Sequence, residues 1–124
     1  MVQVAQERLL YETLYYKLKT MGKTVIVVAW TGIASILLPN GSTVHSRFKL
    51  PLIIDRPSTI GVKSRSPAAQ ELIDASVIVW DESPMASAYA IDLIDRGLRD
   101  LRNCQLPFGG LFVVLGGIFG KFFL

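Results

Sequence analysis

Two adjacent carboxylates, Asp81 and Glu82, close the apolar run Val77-Ile78-Val79-Trp80. Acids that end such a run are costly to desolvate unless they meet a cation or a proton donor. The run reads as a buried strand with both acids at its carboxyl tip, the end at which parallel α/β sheets bind ligands. That placement suits hydrolysis of a nucleoside triphosphate. Asp81 would hold Mg²⁺, mostly through water, and Glu82 would polarise the water that attacks the γ-phosphate. The competing reading is a strand running into a helix start, with Asp81 as cap and Glu82 favoured by the helix dipole.

A second group, Thr43-Val44-His45-Ser46-Arg47-Phe48-Lys49, combines hydroxyls, two cations, an imidazole and an aromatic ring. Such a mix suits single-stranded nucleic acid, with cations for phosphate and a ring for base stacking. Alternatively, Phe48 anchors the loop while Arg47 and Lys49 are simply solvated. His45 has no serine or cysteine partner identifiable by spacing, which leaves a hydrolase triad unsupported. The single cysteine, Cys104, excludes an intramolecular disulfide and forms no metal-ligand cluster with the lone histidine. An intracellular, reducing compartment is the expectation.

A phosphate-binding loop should accompany a magnesium-binding pair. Gly22-Lys23-Thr24 has the right closing residues, but Lys17 stands where the loop's first glycine belongs. It also precedes a strand, whereas a phosphate loop follows one and opens a helix. It reads as a helix cap and strand start. The place for a phosphate loop is near Ala5 to Arg8, which holds neither glycine nor lysine, and Glu7 there would repel triphosphate.

The elements that position these groups follow from periodicity. Residues 4–21 suit a helix, with Leu10, Leu14 and Leu18 on one face and Tyr11 and Tyr15 beside it. Thr24 to Trp30 is a nearly continuous β-branched run, the mark of a strand buried on both sides. A short helix over 32–38 stops at the turn Pro39-Asn40-Gly41. Residues 55–67 form a polar surface loop carrying Arg56, Lys63 and Arg65. Ala68 to Ala75 supplies one or two helical turns. Over 86–102, Ile91, Ile94, Leu98 and Leu101 recur at helical spacing, with Asp92–Arg96 and Asp95–Arg99 as pairs on the wet side. Met1 to Arg8 carries no apolar signal segment. Asn103 to Gly120 is uncharged and approaches the length of a membrane span. However, Pro107 and five glycines interrupt it, so Leu111 to Leu115 reads as a buried strand and no membrane association is expected. With 124 residues, 51% hydrophobic, mean hydropathy +0.42 and net charge +3, the chain has room for one small core. Its mild basic bias permits nucleic-acid binding.

Several segments in order resemble PIF-type ATP-dependent DNA helicases, including Helitron-transposon-like members. They are Thr31-Gly32-Ile33-Ala34, Thr43 to Pro51, Val79-Trp80-Asp81-Glu82-Ser83-Pro84-Met85, Leu106-Pro107-Phe108-Gly109-Gly110 and Val113 to Gly117. The resemblance implies an α/β fold, a RecA-like P-loop NTPase-type parallel sheet with flanking helices, here incomplete. The whole of 1–124 would be part of a first RecA-like domain. It further implies ATP and Mg²⁺ as cofactors and single-stranded DNA as partner. Movement would run five-prime-to-three-prime, in repair, recombination or transposon replication, in the nucleus or mitochondria. By the same resemblance Asp81 and Glu82 are the magnesium and catalytic pair, while Thr31, Gly32, His45, Arg47 and Phe48 lie along the DNA path. Aligned on Leu9 to Leu14, the family's phosphate-loop lysine falls on Glu7 and its threonine on Arg8. The family's γ-phosphate sensor, roughly D-F-R-Q, falls on Ile118-Phe119-Gly120-Lys121. The expectation is a truncated, inactive copy, or else a residual single-stranded DNA-binding module.

Overall fold

The computed structural model describes residues 2–55, 58–116 and 122–123, with side chains described over 9–55 and 58–116. In chain order the elements are α1 (Val2–Thr20), β1 (Val25–Ala29), α2 (Gly32–Leu37), β2 (Ser42–Thr43), α3 (Val44–Phe48), α4 (Pro67–Asp74), β3 (Val77–Asp81), α5 (Ala88–Leu101), β4 (Phe112–Gly116) and β5 (Phe122–Phe123). Single 3-10 turns lie at Ser83–Met85 and Pro107–Gly110.

β1 is buried at every position, as its β-branched run requires. β3 runs parallel beside it, with Val25 opposite Val77 and Ala29 opposite Asp81. The strand order is β2-β1-β3-β4-β5, the first four parallel and β5 antiparallel to β4. This is the α/β parallel sheet expected from the sequence. Alternate residues of β1 and β3 feed two cores. Val25, Val27 and Val79 meet α1 on one face, while Ile26, Val28 and Trp80 meet α3, α4 and α5 on the other. The uncharged tail enters the sheet as β4, and no described helix is long and apolar enough to cross a membrane.

Two expectations for the helices change. On α1 the buried positions are Tyr11 and Tyr15, with Leu14 and Leu18 half-buried, whereas Leu10 is 48% exposed. The stripe is rotated because a tyrosine can cover strands with its ring while its hydroxyl reaches a polar partner. The segment after Thr43 also contains a helix, α3, that periodicity left unassigned. Thr43 caps it by accepting from Ser46 N at 3.0 Å, and Lys49 ends it in the left-handed region at φ 54°. Val44 and Phe48, one turn apart, are its buried face.

The remaining helices follow the sequence closely. Gly22, at φ 78°, stops α1, and Lys23 N donates back to Leu18 O at 3.0 Å, so Gly22-Lys23-Thr24 is the expected cap and strand start. Ser87 caps α5 by accepting from Ala90 N at 3.1 Å. The two acid–arginine pairs on α5 prove unequal. Asp92 only pairs with Arg96, at 2.8 Å, on the surface. Asp95 pairs with Arg99 at 3.0 Å and also accepts Phe108 N at 2.6 Å, pinning the 3-10 turn before β4.

Candidate functional site

The in-register pairing of β1 and β3 sets Thr31, two residues past Ala29, beside Asp81 and Glu82 at the carboxyl edge of the sheet. Gly116, at the end of β4, adjoins them on the other side. Both acids are half-buried. Asp81 Oδ1 accepts from Tyr11 Oη at 2.6 Å and from the backbone N of Glu82 at 2.9 Å. Glu82 Oε1 accepts from Thr31 N and Thr31 Oγ1, each at 2.9 Å. Among the described residues, Asp81 Oδ2 and Glu82 Oε2 carry no hydrogen bond. Each carboxylate therefore has one oxygen committed to protein donors and one left over.

The reading of Asp81 and Glu82 as a helix start does not match this geometry. The next α-helix begins seven residues beyond Asp81, at Ala88, and its cap is Ser87. Glu82 instead occupies the left-handed region at φ 59° and ψ 28° and makes no side-chain cap. A non-glycine residue pays about 1–2 kcal/mol for that conformation. It persists where surrounding contacts over-determine it. Here those contacts are the two bonds from Thr31 and the buried hydroxyl of Ser83, which donates to Gly116 O at 3.0 Å.

Tyr11, Ser83 and Gly116 are site residues that sequence reasoning missed. A Cβ on Gly116 would lie 1.7 Å from Tyr11 Oη and 3.2 Å from Asp81 Oδ1, so the glycine makes room for the phenol. The one available signal was a tyrosine on an apolar helix face, a residue that needs a partner for its hydroxyl when buried.

β2 pairs Thr43 opposite Ala29, which carries α3 to the same edge. His45 packs edge-on against Trp30, with ring centroids 4.7 Å apart. Arg47 forms an ion pair with Glu71 of α4. Gly32 opens α2 and is exposed. Phe48 is 0% exposed and belongs to the core beneath α3. This corrects the base-stacking expectation, because a ring enclosed on both sides has no face to offer a nucleobase. Arg47, Ser42, Ser46, Lys49, Ala68 and Glu71 line a cavity of about 240 Å³. Two of its polar atoms, Arg47 Nε and Ser42 Oγ, are buried without a hydrogen-bond partner.

The family model for "PIF1-like helicase" matches residues 5–123. The chain belongs to the PIF1-like helicase family. Among relatives, ATP-dependent DNA helicase PIF7 of Trypanosoma brucei brucei is 34% identical over 101 residues, covering 77% of this chain and 10% of that protein. Bacteroides Pif1 bound to single-stranded DNA superposes with a TM-score of 0.71 at 35% identity, over 82% of this chain and 24% of that one. The Bacteroides enzyme with ADP-AlF3 and single-stranded DNA gives 0.72 at 34% identity, with the same coverage. The sequence thus corresponds to about a quarter or less of these PIF1-like proteins.

The phosphate-loop positions that the resemblance assigned, Glu7 and Arg8, have side chains outside the described residues, and so does the sensor segment 118–121. The backbone of α1, however, runs helical from Val2 through those positions. Beyond the first four residues of an α-helix, N–H groups are spent on carbonyls one turn back. A phosphate loop presents free amides at a helix start, and residues 6–8 lie inside this one.

Proposed function

We propose that Asp81 and Glu82 are the carboxylate pair of a motor that hydrolyses ATP with Mg²⁺ and moves five-prime-to-three-prime on single-stranded DNA. Repair, recombination or transposon replication in the nucleus or mitochondria is the setting the family resemblance favours. The supporting observation is the pair of unspent oxygens, Asp81 Oδ2 and Glu82 Oε2, held at the carboxyl edge by Tyr11 and Thr31. The described residues contain no cluster of three metal-ligating side chains. That donor set fits Mg²⁺, which keeps several waters and takes one or two carboxylates plus phosphate oxygens. Mg²⁺ on ATP supplies positive charge against the phosphate oxygens. Asp81 Oδ2 would hold the hydrated ion, and Glu82 Oε2 would orient a water and accept its proton. The donors to Oδ1 and Oε1 fix both carboxylates in orientation before nucleotide arrives.

The chain as it stands does not turn over ATP at a useful rate in this reading. Glu7 and Arg8 occupy the phosphate-loop lysine and threonine positions. Every charge-assisted hydrogen bond to phosphate that these two residues fail to make forfeits about 1.5–3 kcal/mol. A titration with a fluorescent ATP analogue, with and without Mg²⁺, is expected to show no saturable binding in a sample folded by circular dichroism. Magnesium-dependent saturation that disappears in Asp81→Asn, or DNA-stimulated hydrolysis abolished in Glu82→Gln, would overturn the inactivity.

A second reading, single-stranded DNA binding without hydrolysis, is favoured by the cavity at α3. Buried unpaired donors on Arg47 and Ser42, with the exposed Lys49 alongside, suit a phosphate oxygen. Binding to a labelled dT oligonucleotide should weaken as salt rises and again in Arg47→Ala. Indifference to both would refute it.

A further inference from the structure

We infer that Thr31 is a positioning residue that ties the Glu82 carboxylate to the start of α2, so that a ligand seated at the α2–α3 edge moves the carboxylate. The inference rests on the reading of that edge as a single-stranded DNA site. Every polar group of Thr31 is engaged. Its backbone N–H donates to Glu82 Oε1 at 2.9 Å, and its carbonyl accepts from Ser35 N at 3.1 Å. Its hydroxyl sits 2.9 Å from the same Oε1 and accepts from Ala34 N at 3.3 Å. An ionised carboxylate only accepts, so the hydroxyl proton lies toward Glu82 and the Ala34 amide meets a lone pair. Thr31 therefore has no donor left for a DNA phosphate.

The tie joins two elements that respond to different ligands. On one side is the first turn of α2, which Thr31 caps. On the other is Glu82, strained in the left-handed region and released from that conformation if its partner moves. Gly32 is the next residue after Thr31, and Ala29, two residues before it, is opposite Thr43, the cap of α3. A shift of this edge therefore reaches Glu82 through one residue.

The test is NMR of the whole chain, following the Glu82 carboxyl carbon (assigned through Glu82→Gln) and the α3 amides during titration with a dT oligonucleotide. In the wild type the Glu82 carbon should shift with the same saturation curve as the α3 amides. In Thr31→Val, which keeps the backbone N–H bond to Glu82 and loses the hydroxyl bond, the α3 shifts should persist and the Glu82 shift should shrink, and Thr31→Ser, which restores the hydroxyl, should recover it. A Glu82 carbon that stays still while the α3 amides move overturns the inference in the wild type alone, whether or not the valine variant folds. So does a Glu82 shift that is undiminished in Thr31→Val. If the α3 amides themselves do not move, the single-stranded DNA reading fails and takes the inference with it, an outcome told apart by those reporters.

Discussion

Gly116→Ala should be among the most damaging single-methyl changes in this chain. Gly116 lies in strand conformation at the end of β4, so alanine costs nothing through backbone angles. The damage is steric. The new Cβ would sit 1.7 Å from Tyr11 Oη and 2.9 Å from Cζ, and Tyr11 is only 2% exposed, with nowhere to swing. Displacing the phenol breaks its 2.6 Å bond to Asp81, and a bond to a charged group is worth about 1.5–3 kcal/mol. Overpacking against the buried ring adds about 1–3 kcal/mol. The sum, about 2.5–6 kcal/mol, is a large share of the roughly 5–15 kcal/mol that holds a domain together. Tyr11→Phe removes only the hydroxyl and should cost about 1.5–3 kcal/mol. In the double variant the clash with oxygen is gone and the hydrogen bond counted in both single variants is lost only once, so the two effects should fall short of additivity by about 1.5–3 kcal/mol. Urea unfolding followed by circular dichroism measures all three. A Gly116→Ala protein within about 0.5 kcal/mol of wild type would refute the packing of Tyr11 against Asp81.

Two further changes test other parts of the fold. Phe48→Ala should cost about 3–5 kcal/mol in the same unfolding assay, because its ring is wholly enclosed; an exposed stacking ring would cost little. Asp92→Ala should change stability by no more than about 0.5 kcal/mol. Asp95→Ala should cost about 1–3 kcal/mol, since it strands the Phe108 N–H that Asp95 accepts. Equal effects from the two would contradict that assignment.

Local pattern made the sheet legible: β1 and β3 are continuous apolar runs covered on both faces, whereas β4, expected as a buried strand, joins the sheet but leaves Phe112 exposed and Val113 and Leu115 half-buried. The carboxylate pair was legible for the same reason, as polar residues that end a buried run. What the pattern left open was which partners those carboxylates meet. Tyr11 and Asp81 are 70 residues apart, and Thr31 and Glu82 are 51 apart. Periodicity assigns faces, not registers between elements, so neither contact could be read from spacing. Phe48 was misjudged for a related cause. Its neighbours Arg47 and Lys49 are polar, and only the cap at Thr43 makes the segment helical and turns Phe48 inward beside Val44. Asp92 and Asp95 look equivalent as helical pairs, and the Phe108 amide that separates them comes from another element.

The two carboxylates owe their orientation to residues that are also structural. Tyr11 packs its ring with Val25, Val27 and Val79 and spends its hydroxyl on Asp81. Thr31 caps α2 and spends its hydroxyl proton on Glu82. The orientation of the edge is therefore bound up with the core beneath it. The positions on which the resemblance places the phosphate-loop lysine and threonine bear on the same contact, because Tyr11 follows Glu7 by one turn of α1. Installing a lysine at Glu7 and a threonine at Arg8 alone would leave their amides inside a continuous helix. In the proposed reading, a phosphate site there would require unwinding α1 up to those positions, one turn from the residue that fixes Asp81. Repair of the phosphate loop and retention of the Tyr11 contact are thus a single structural problem, governed by where α1 begins.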